Sequence, residues 1–311
     1  MWVPWPYTMV AAVVLAASAW LVRPRSRVGN AVRPFALEAA LVLSLYSLWR
    51  IAGKLSVRHV DGAQGRALWI YDTQRWLHLP DELAMQRWTL PHPLLVQAAN
   101  VYYAVAHVPA VIIMLLWLFI WHRDAYPPIR NVLAVLTGAC LVLQLVAVMP
   151  PRFLPDLGFV DTAHLYGQSV YTQLGTGAAN QMSAMPSLHV GWAVLVAFAA
   201  IVASTSRWRW LVVAHPVLTC LAVVVTANHW WLDGIVAVAI LALAVVAESA
   251  VRRRLALLPL ARLGGAEGRL QAPGDLLPAG ARPRGAVDAY ATIDDHRRPP
   301  DRSNEPLNST T

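Results

Sequence analysis

The feature that most constrains this chain is a series of apolar runs, each of about 18 or more residues, separated by short polar segments. A helix rises about 1.5 Å per residue, so such a run spans the hydrocarbon core of a bilayer. Of the 311 residues, 57% are hydrophobic and 14% are charged, whereas soluble domains have about 25% charged residues. The sequence therefore predicts an integral membrane protein and excludes an ordinary soluble domain.

The apolar runs predict an all-α fold, a polytopic membrane bundle of about six or seven transmembrane helices. The predicted spans are residues 5–22, 34–52, 93–121, 131–149, 186–204, 210–227 and 231–250. Basic clusters follow alternate spans, which places those ends in the cytoplasm and the N-terminus outside a cell membrane. They contain Arg23, Arg25, Arg27, Arg123, Arg130, Arg207, Arg209 and Arg252 to Arg254. Because these clusters explain the net charge of +8, we expect no nucleic-acid partner.

Residues 53–92 depart from this pattern, because they carry several charges on the predicted outer side. Trp69, Trp76 and Trp88 recur among those charges, which is typical of amphipathic helices that lie in the membrane interface. We therefore predict interfacial helices between the second and third spans. A soluble extracytoplasmic cap is the alternative.

Composition divides the chain into three regions. Residues 1–33 form a first span, which we expect to stay uncleaved because no basic segment precedes it, and a basic loop. Residues 34–254 form the membrane domain in which the candidate site lies. Residues 255–311 are rich in Gly, Pro, Arg and Asp without apolar periodicity, which predicts a disordered cytoplasmic tail.

Polar residues occur at the ends of three spans, and the alternation above sends all three ends to the outer face. They are Arg152 in "MPPRFLP", Ser187 and His189 in "MPSLHVGW", and His229 with Asp233 in "TANHWWLDG". A charge near the bilayer centre costs about 2.5–3.5 kcal/mol on insertion scales. Each residue alone has a plain interpretation, such as a solvated histidine or a snorkelling arginine. Their occurrence on one predicted face points to a shared site.

The residue types at this face suit phosphoryl transfer. On a helix, His229 and Asp233 would share one face, so the carboxylate could fix the imidazole tautomer and leave a nucleophilic nitrogen. A simple histidine–aspartate bridge between helices is the alternative. Pro186 can begin a helix whose free N–H groups favour phosphate. His189 could protonate a leaving oxygen, and the guanidinium of Arg152 matches phosphate oxygens.

Two motifs carry a family resemblance. "PSLH", followed about forty residues later by "HWWLD", resembles the second and third signature motifs of the type 2 phosphatidic acid phosphatase superfamily. "PPRF", "GFVDT" and "AMPSLHVGWA" together resemble its inositol phosphorylceramide synthase-like branch. The resemblance covers roughly residues 35–250 and implies a membrane lipid phosphatase or phosphotransferase.

The resemblance also implies roles for individual residues. His229 would attack phosphorus to form a phosphohistidine, Asp233 would orient it, and His189 would act as the acid. Ser187 and Arg152 would bind phosphate, without a metal or other cofactor. The substrate would be a membrane lipid phosphate, and the acceptor would be water or a polyol such as inositol. The branch favours transfer, and the site would lie on the extracytoplasmic face.

The chain departs from the superfamily pattern at three positions. Leu145 stands where the first motif has a lysine, and Ala222 and Val223 stand where the third motif has Ser-Arg. The synthase-like branch shares this reduced form. Tyr103 and His107, in "NVYYAVAHVP", could compensate by binding substrate, because similar residues recur in that branch. Their alternative role is in an aromatic belt at the membrane interface.

Two other functions remain open from the residues alone. A metal-dependent hydrolase could use His189, His229 and Asp233 as ligands, since the spacing of the last two permits it. Against this, Arg152 beside a cation would be repulsive. A transporter or scaffold could instead use the same pocket to bind a lipid phosphate without turnover.

Overall fold

A computed structural model describes residues 4–21, 27–55, 61–169 and 181–267. Within these ranges the chain is all-α, with eleven α-helices and no β-strand, so the predicted fold class is confirmed. The α-helices are α1 (Trp5–Leu21), α2 (Arg27–Leu55), α3 (Ala63–Trp76), α4 (Glu82–Thr89), α5 (Pro93–Val105), α6 (His107–Trp121), α7 (Tyr126–Leu143), α8 (Thr162–Leu165), α9 (Leu188–Ala203), α10 (Ala214–Val225) and α11 (Trp231–Glu267). Short 3-10 helices cover Pro151–Phe153, Pro155–Leu157 and Arg207–Val213.

Three helical segments in the described part of the chain are long and apolar enough to cross a membrane: Tyr126–Leu143, Arg207–Val225 and Trp231–Leu255. Helices α5 and α6 are long and apolar enough only when taken together, and the pair is bent by 47°, which is the geometry of a broken span or of a re-entrant loop. Helices α1 and α9 are apolar but shorter, with 17 and 16 residues. These segments make the chain a membrane protein.

The fourth predicted span has the wrong boundaries at both ends. Residues 131–149 were expected to be helical, but α7 covers Tyr126–Leu143. It begins early because Pro127 and Pro128 suit a first helical turn. The chain then leaves the helix, and Val148 forms an isolated parallel bridge with Ser183. That bridge brings the first and second motif segments together.

Helix α9 packs against α6, α7 and α10 in the apolar core of the bundle. Leu118, Leu136, Leu195 and Leu241 are buried in this core. Small residues bring α9 close to α11, since a Cβ added at Gly234 would lie 3.3 Å from Cγ1 of Val190. Close approach through small residues is typical of membrane helices.

A second cluster lies where α3 and α4 cover the motif loops. Trp230 is at its centre, packs edge-on against Phe159 and donates its Nε1 hydrogen to the carbonyl of Met149 at 3.1 Å. The predicted helices of residues 53–92 are present as α3 and α4. Their tryptophans Trp69, Trp76 and Trp88 are all exposed.

The final helix ends at Glu267, beyond residue 255, at which composition predicts the tail to begin. The rest of that predicted tail, residues 268–311, lies outside the described residues. The chain divides into two units, Met1–Leu257 and Leu258–Thr311. The core and the candidate site lie within the first unit.

Candidate active site

Backbone hydrogen bonds join the three motif segments. The N–H of Arg152 donates to the carbonyl of Ala227 at 2.9 Å, which links the first motif to the third. The N–H of Ser187 donates to the carbonyl of Asp233 at 3.0 Å, which links the second to the third. These two bonds hold the backbones of the three motif segments side by side.

His229 lies in the loop between α10 and α11, not on a helix as its spacing from Asp233 suggested. Helix α11 begins at Trp231, so Asp233 stands in its first turn and the loop brings the imidazole to it. The Nδ1 atom of His229 lies 2.7 Å from the carbonyl oxygen of Ala184 and 3.3 Å from Oδ2 of Asp233. Both partners are acceptors, so Nδ1 carries the hydrogen and Nε2 keeps its lone pair.

The carboxylate of Asp233 is completely buried. Its Oδ2 also accepts the N–H of Trp230 at 2.8 Å, whereas its Oδ1 has no hydrogen-bond partner among the described residues. One oxygen therefore holds both the imidazole and the start of α11. A buried carboxylate with so few partners is costly, which sets this site apart from the apolar bundle.

His189, in the first turn of α9, faces Nε2 of His229. Its Nδ1 lies 3.3 Å from Nε2 of His229. Because that Nε2 is an acceptor, the hydrogen between the two rings belongs to His189. The other sides of the His189 ring contact Tyr103, with centroids 4.4 Å apart, and the edge of His107, at 4.5 Å.

Tyr103 and His107 are thus placed beside the two motif histidines and are buried. The centroid of Tyr103 is also 6.4 Å from that of His229. The aromatic-belt alternative requires exposure at the bundle surface, which neither side chain has.

Arg152 is buried between the first and third motifs. Its Nη1 donates to Oδ1 of Asn228, and its Nε lies 3.6 Å from Oδ2 of Asp161. Together with Tyr103, these three side chains line a small pocket. A guanidinium is a phosphate-binding group, whereas the amide Nδ2 of Asn228 donates to Thr226.

Ser187 is the N-cap of α9 and is fully buried. Its Oγ accepts the N–H of Val190 at 3.4 Å, which leaves the hydroxyl hydrogen able to donate. The helix begins at Leu188, two residues later than predicted, because the chain is still extended at Ser187.

The three departures from the superfamily pattern have two different settings. Ala222 and Val223 are buried, and Val223 packs in one cluster with Tyr103, Val190 and Val224. Leu145 is exposed, just beyond the end of α7. The replaced Ser-Arg positions are therefore filled by apolar packing rather than by another charge.

Sequence reasoning missed several polar residues that contact the motif loops. Asn228 stands inside a quoted motif, and Asp161 in another, so proximity could have indicated both. Three others lie on α3 and α4: Gln74, Glu82 and Gln86. The sequence could have indicated them only as polar residues on the predicted inner face of a helix. Their hydrogen-bond partners are far away in the sequence.

Glu82 accepts the N–H of Trp231 through Oε1 at 3.2 Å, and Gln74 accepts the N–H of Leu232 at 3.0 Å. Burial raises the pKa of Glu82 above its ordinary value, opposed by backbone hydrogen bonds that favour the carboxylate. The first turn of α11 is therefore held by side chains of α3 and α4.

Among the residues that the structure describes, no group of three or more His, Cys, Asp or Glu side chains is arranged to hold a metal ion. The alternative ligand set of His189, His229 and Asp233 has a further difficulty. The Nδ1 atom of His229 is directed at two oxygens and its Nε2 at His189. A cation bound at Nε2 would displace the contact with His189, and a cation bound at Nδ1 would displace the contact with Ala184.

Comparison with known proteins gives one match. A family model described as "PAP2 superfamily" matches residues 68–247, more than half of the chain. This range contains most of α3, the whole of α4 and all three motif segments. No curated protein and no solved structure matches the chain.

Proposed function

The chain belongs to the PAP2 superfamily, and from this premise we propose that it transfers a phosphoryl group from a membrane lipid through a phosphohistidine on His229. Membership of the superfamily and the apolar helices support a phosphatase-type activity on a lipid phosphate. The assignment of individual residues is the further step of the proposal.

The observation that carries this proposal is the hydrogen bonding of His229. Two oxygens hold its Nδ1, so that the lone pair of Nε2 is directed at His189. A base-and-orienter arrangement of this kind activates a nucleophile by fixing its tautomer. Asp233 is the orienting group.

In the first half-reaction, Nε2 of His229 bonds to phosphorus while the bond from phosphorus to the ester oxygen breaks. The negative phosphate favours the imidazolium form of His189, which gives a proton to the leaving oxygen and becomes neutral. Arg152 and the hydroxyl of Ser187 stabilise the charge on the remaining phosphate oxygens.

In the second half-reaction, neutral His189 takes the proton of an acceptor O–H. The acceptor oxygen bonds to phosphorus as the P–N bond breaks, which restores His229. Water as acceptor makes the enzyme a phosphatase, and a polyol such as inositol makes it a transferase. The motif resemblance to the synthase-like branch favours transfer.

Substrate binding has to open the contact between the two imidazoles. Nε2 of His229 lies 3.3 Å from Nδ1 of His189, which is hydrogen-bonding distance. Before attack, phosphorus has to lie about 3–3.5 Å from Nε2, in the place that the His189 ring now fills. His189 therefore moves aside when the phosphate enters. Its packing between Tyr103 and His107 guides that movement.

For the setting of the reaction, the arginine pattern supports a multi-pass protein of the cell membrane with the site on the extracytoplasmic face. The tail then lies in the cytoplasm. No metal takes part in the proposed steps, since each proton and charge is carried by a named side chain.

The test is His229→Ala, assayed for phosphate release and new head-group products with a panel of phospholipids and polyprenyl diphosphates, with and without inositol. Loss of the nucleophile should lower turnover by about 10⁴-fold or more and abolish an acid-labile phosphoenzyme. His92→Ala is the matched control, because this histidine is exposed and makes no side-chain cap. Wild-type turnover by folded His229→Ala would exclude the proposal.

A further inference from the structure

The loop that carries His229 is held at its α10 end by local hydrogen bonds, in which the N–H groups of Asn228 and His229 both donate to the carbonyl of Val223. It joins α10 to α11 through Ala227, whose φ of 54° is in the left-handed region. Reactive groups have to be held within about 0.5 Å of their productive geometry. Residues outside the loop also have to restrain it.

The beginning of α11 is restrained from a distance. A helix start leaves its first N–H groups without intrahelical acceptors, and a neighbouring side chain usually caps them. Here Trp230 N–H is capped locally by Asp233 at 2.8 Å. The acceptors for Trp231 and Leu232 are Glu82 and Gln74, which stand 149 and 158 positions away in the sequence.

The end of α10 is restrained by the same pair of short helices. Gln86 donates from Nε2 to the carbonyl oxygens of Val160 at 2.8 Å and Val225 at 3.3 Å. Its Oε1 accepts the N–H of Val160 at 3.0 Å. Gln86 therefore ties the last residue of α10 to the segment that leads to Asp161.

These three side chains, Gln74, Glu82 and Gln86, form what we call the α3–α4 clamp. Their exposed fractions are 1%, 1% and 0%, so water does not compete for these hydrogen bonds. They form hydrogen bonds with the backbone before His229, at Val225, and after it, at Trp231 and Leu232. Glu82 is the central member, because it bonds the residue that is two positions from both His229 and Asp233.

We propose that Glu82, supported by Gln74 and Gln86, is a positioning residue that holds His229 in line for attack on phosphorus. This inference rests on the proposed function of His229. Glu82 touches neither substrate nor the reacting atoms, and acts through the backbone of α11. A carboxylate suits this task, because the positive end of a helix strengthens its hydrogen bond.

A merely structural role predicts a different result from a positioning role. Loss of alignment lowers the rate of the chemical step, and a displacement of about 1 Å can cost about 10²-fold. Phosphate binding through Arg152 remains, so KM changes little. A glutamine at position 82 keeps an acceptor oxygen for Trp231 N–H and should rescue most of the rate.

The experiment compares full-length Glu82→Leu, Glu82→Gln and Gln74→Leu in detergent. Turnover is measured with dioleoyl phosphatidic acid in mixed micelles, and orthovanadate affinity by calorimetry, since this anion mimics the transition state. Gln64→Leu is the control, an exposed glutamine on the same helix. Melting temperature reports folding.

We expect Glu82→Leu to lower kcat by about 100-fold with KM within about 3-fold, and Glu82→Gln to stay within about 3-fold of wild type. Gln74→Leu should lower kcat by about 10-fold, and it provides the test if Glu82→Leu does not fold. Vanadate affinity should fall in the same order.

Wild-type kcat and vanadate affinity in folded Glu82→Leu, or equal losses in the Leu and Gln variants, would overturn the inference. So would a loss confined to KM. Failure of the proposed function has another signature, in which the wild-type protein neither releases phosphate from any tested lipid nor binds vanadate. An inactive His229→Ala beside a fully active Glu82→Leu would reject the clamp alone.

Discussion

The apolar core of the bundle and the polar end beneath α3 and α4 are both buried, but they are built differently. In the bundle, Leu118, Leu136 and Leu195 are buried side chains that make only apolar contacts. At the polar end, a carboxylate, an imidazole and a guanidinium are buried together. The imidazole and the guanidinium are each bonded to a residue from another segment, Ala184 and Asn228 respectively, and the carboxylate holds the imidazole.

The difference shows how this chain separates stability from chemistry. An apolar core tolerates substitution with a cost in packing, because no single contact is specific. A buried polar group has to find its partner or its burial is costly. The polar end therefore fixes a single arrangement of side chains, and this is the property that a reaction centre requires.

The largest expected effect at the polar end is that of Asp233→Asn. The amide can present N–H to Nδ1 of His229 and so favour the unproductive tautomer, which should lower kcat by about 10⁴-fold. Turnover of the lipid substrate and melting temperature should be measured together. Asp72→Asn is the control, an exposed aspartate on α3. A loss below tenfold in folded Asp233→Asn would mean that this carboxylate does not orient the nucleophile.

In the bundle, Leu136→Ala should lower stability and leave kcat unchanged. Leu136 is fully buried on α7 and lies beside Gly191 of α9, and a cavity at such a site costs about 2–5 kcal/mol. Denaturation in detergent should show the loss, while kcat below the melting transition stays at the wild-type value. Leu143→Ala, at an exposed position of the same helix, is the control. If kcat fell in proportion to stability, the two regions would not be separable.

The smallest expected effect is on Ser187, where the two regions meet. Replacing this N-cap by alanine should cost about 1 kcal/mol of stability. The loss of the hydroxyl donor should lower kcat/KM by about tenfold as well. Ser187→Thr keeps the hydroxyl and should restore both quantities. A Ser187→Ala variant that loses stability but keeps full kcat/KM would show that Ser187 serves only as the helix cap.

Local patterns predicted the apolar part of the fold well. The predicted spans 186–204 and 231–250 correspond to α9 and the first part of α11. In a membrane, a sufficiently long apolar segment forms a helix because its backbone groups find hydrogen-bond partners only within the helix. Residues 131–149 failed at both ends. A mean of hydrophobicity cannot detect a proline pair that starts a helix early or an apolar segment that leaves the helix to bridge another loop.

The motifs indicated Arg152, His189, His229 and Asp233. The structure places His229 against both His189 and Asp233, and Arg152 against the neighbouring Asn228. The motifs could not give the true backbone of His229, which is in a loop, or the acceptor at Ala184. Gln74, Glu82 and Gln86 were missed altogether. Their roles depend on pairings across 74 to 158 positions, for which a single sequence contains no local signal.

The sequence by itself determined that the chain lies in a membrane, that it is helical and that it carries the motifs of the PAP2 superfamily. Hydrophobicity and helical propensity act over a few turns, so neighbouring residues are enough to decide these points. Only the tertiary structure decided which oxygens hold His229, which ring its Nε2 faces and which distant helices hold its loop. Hydrogen bonds depend on distances of about 3 Å, and such distances between remote segments exist only after the helices have packed.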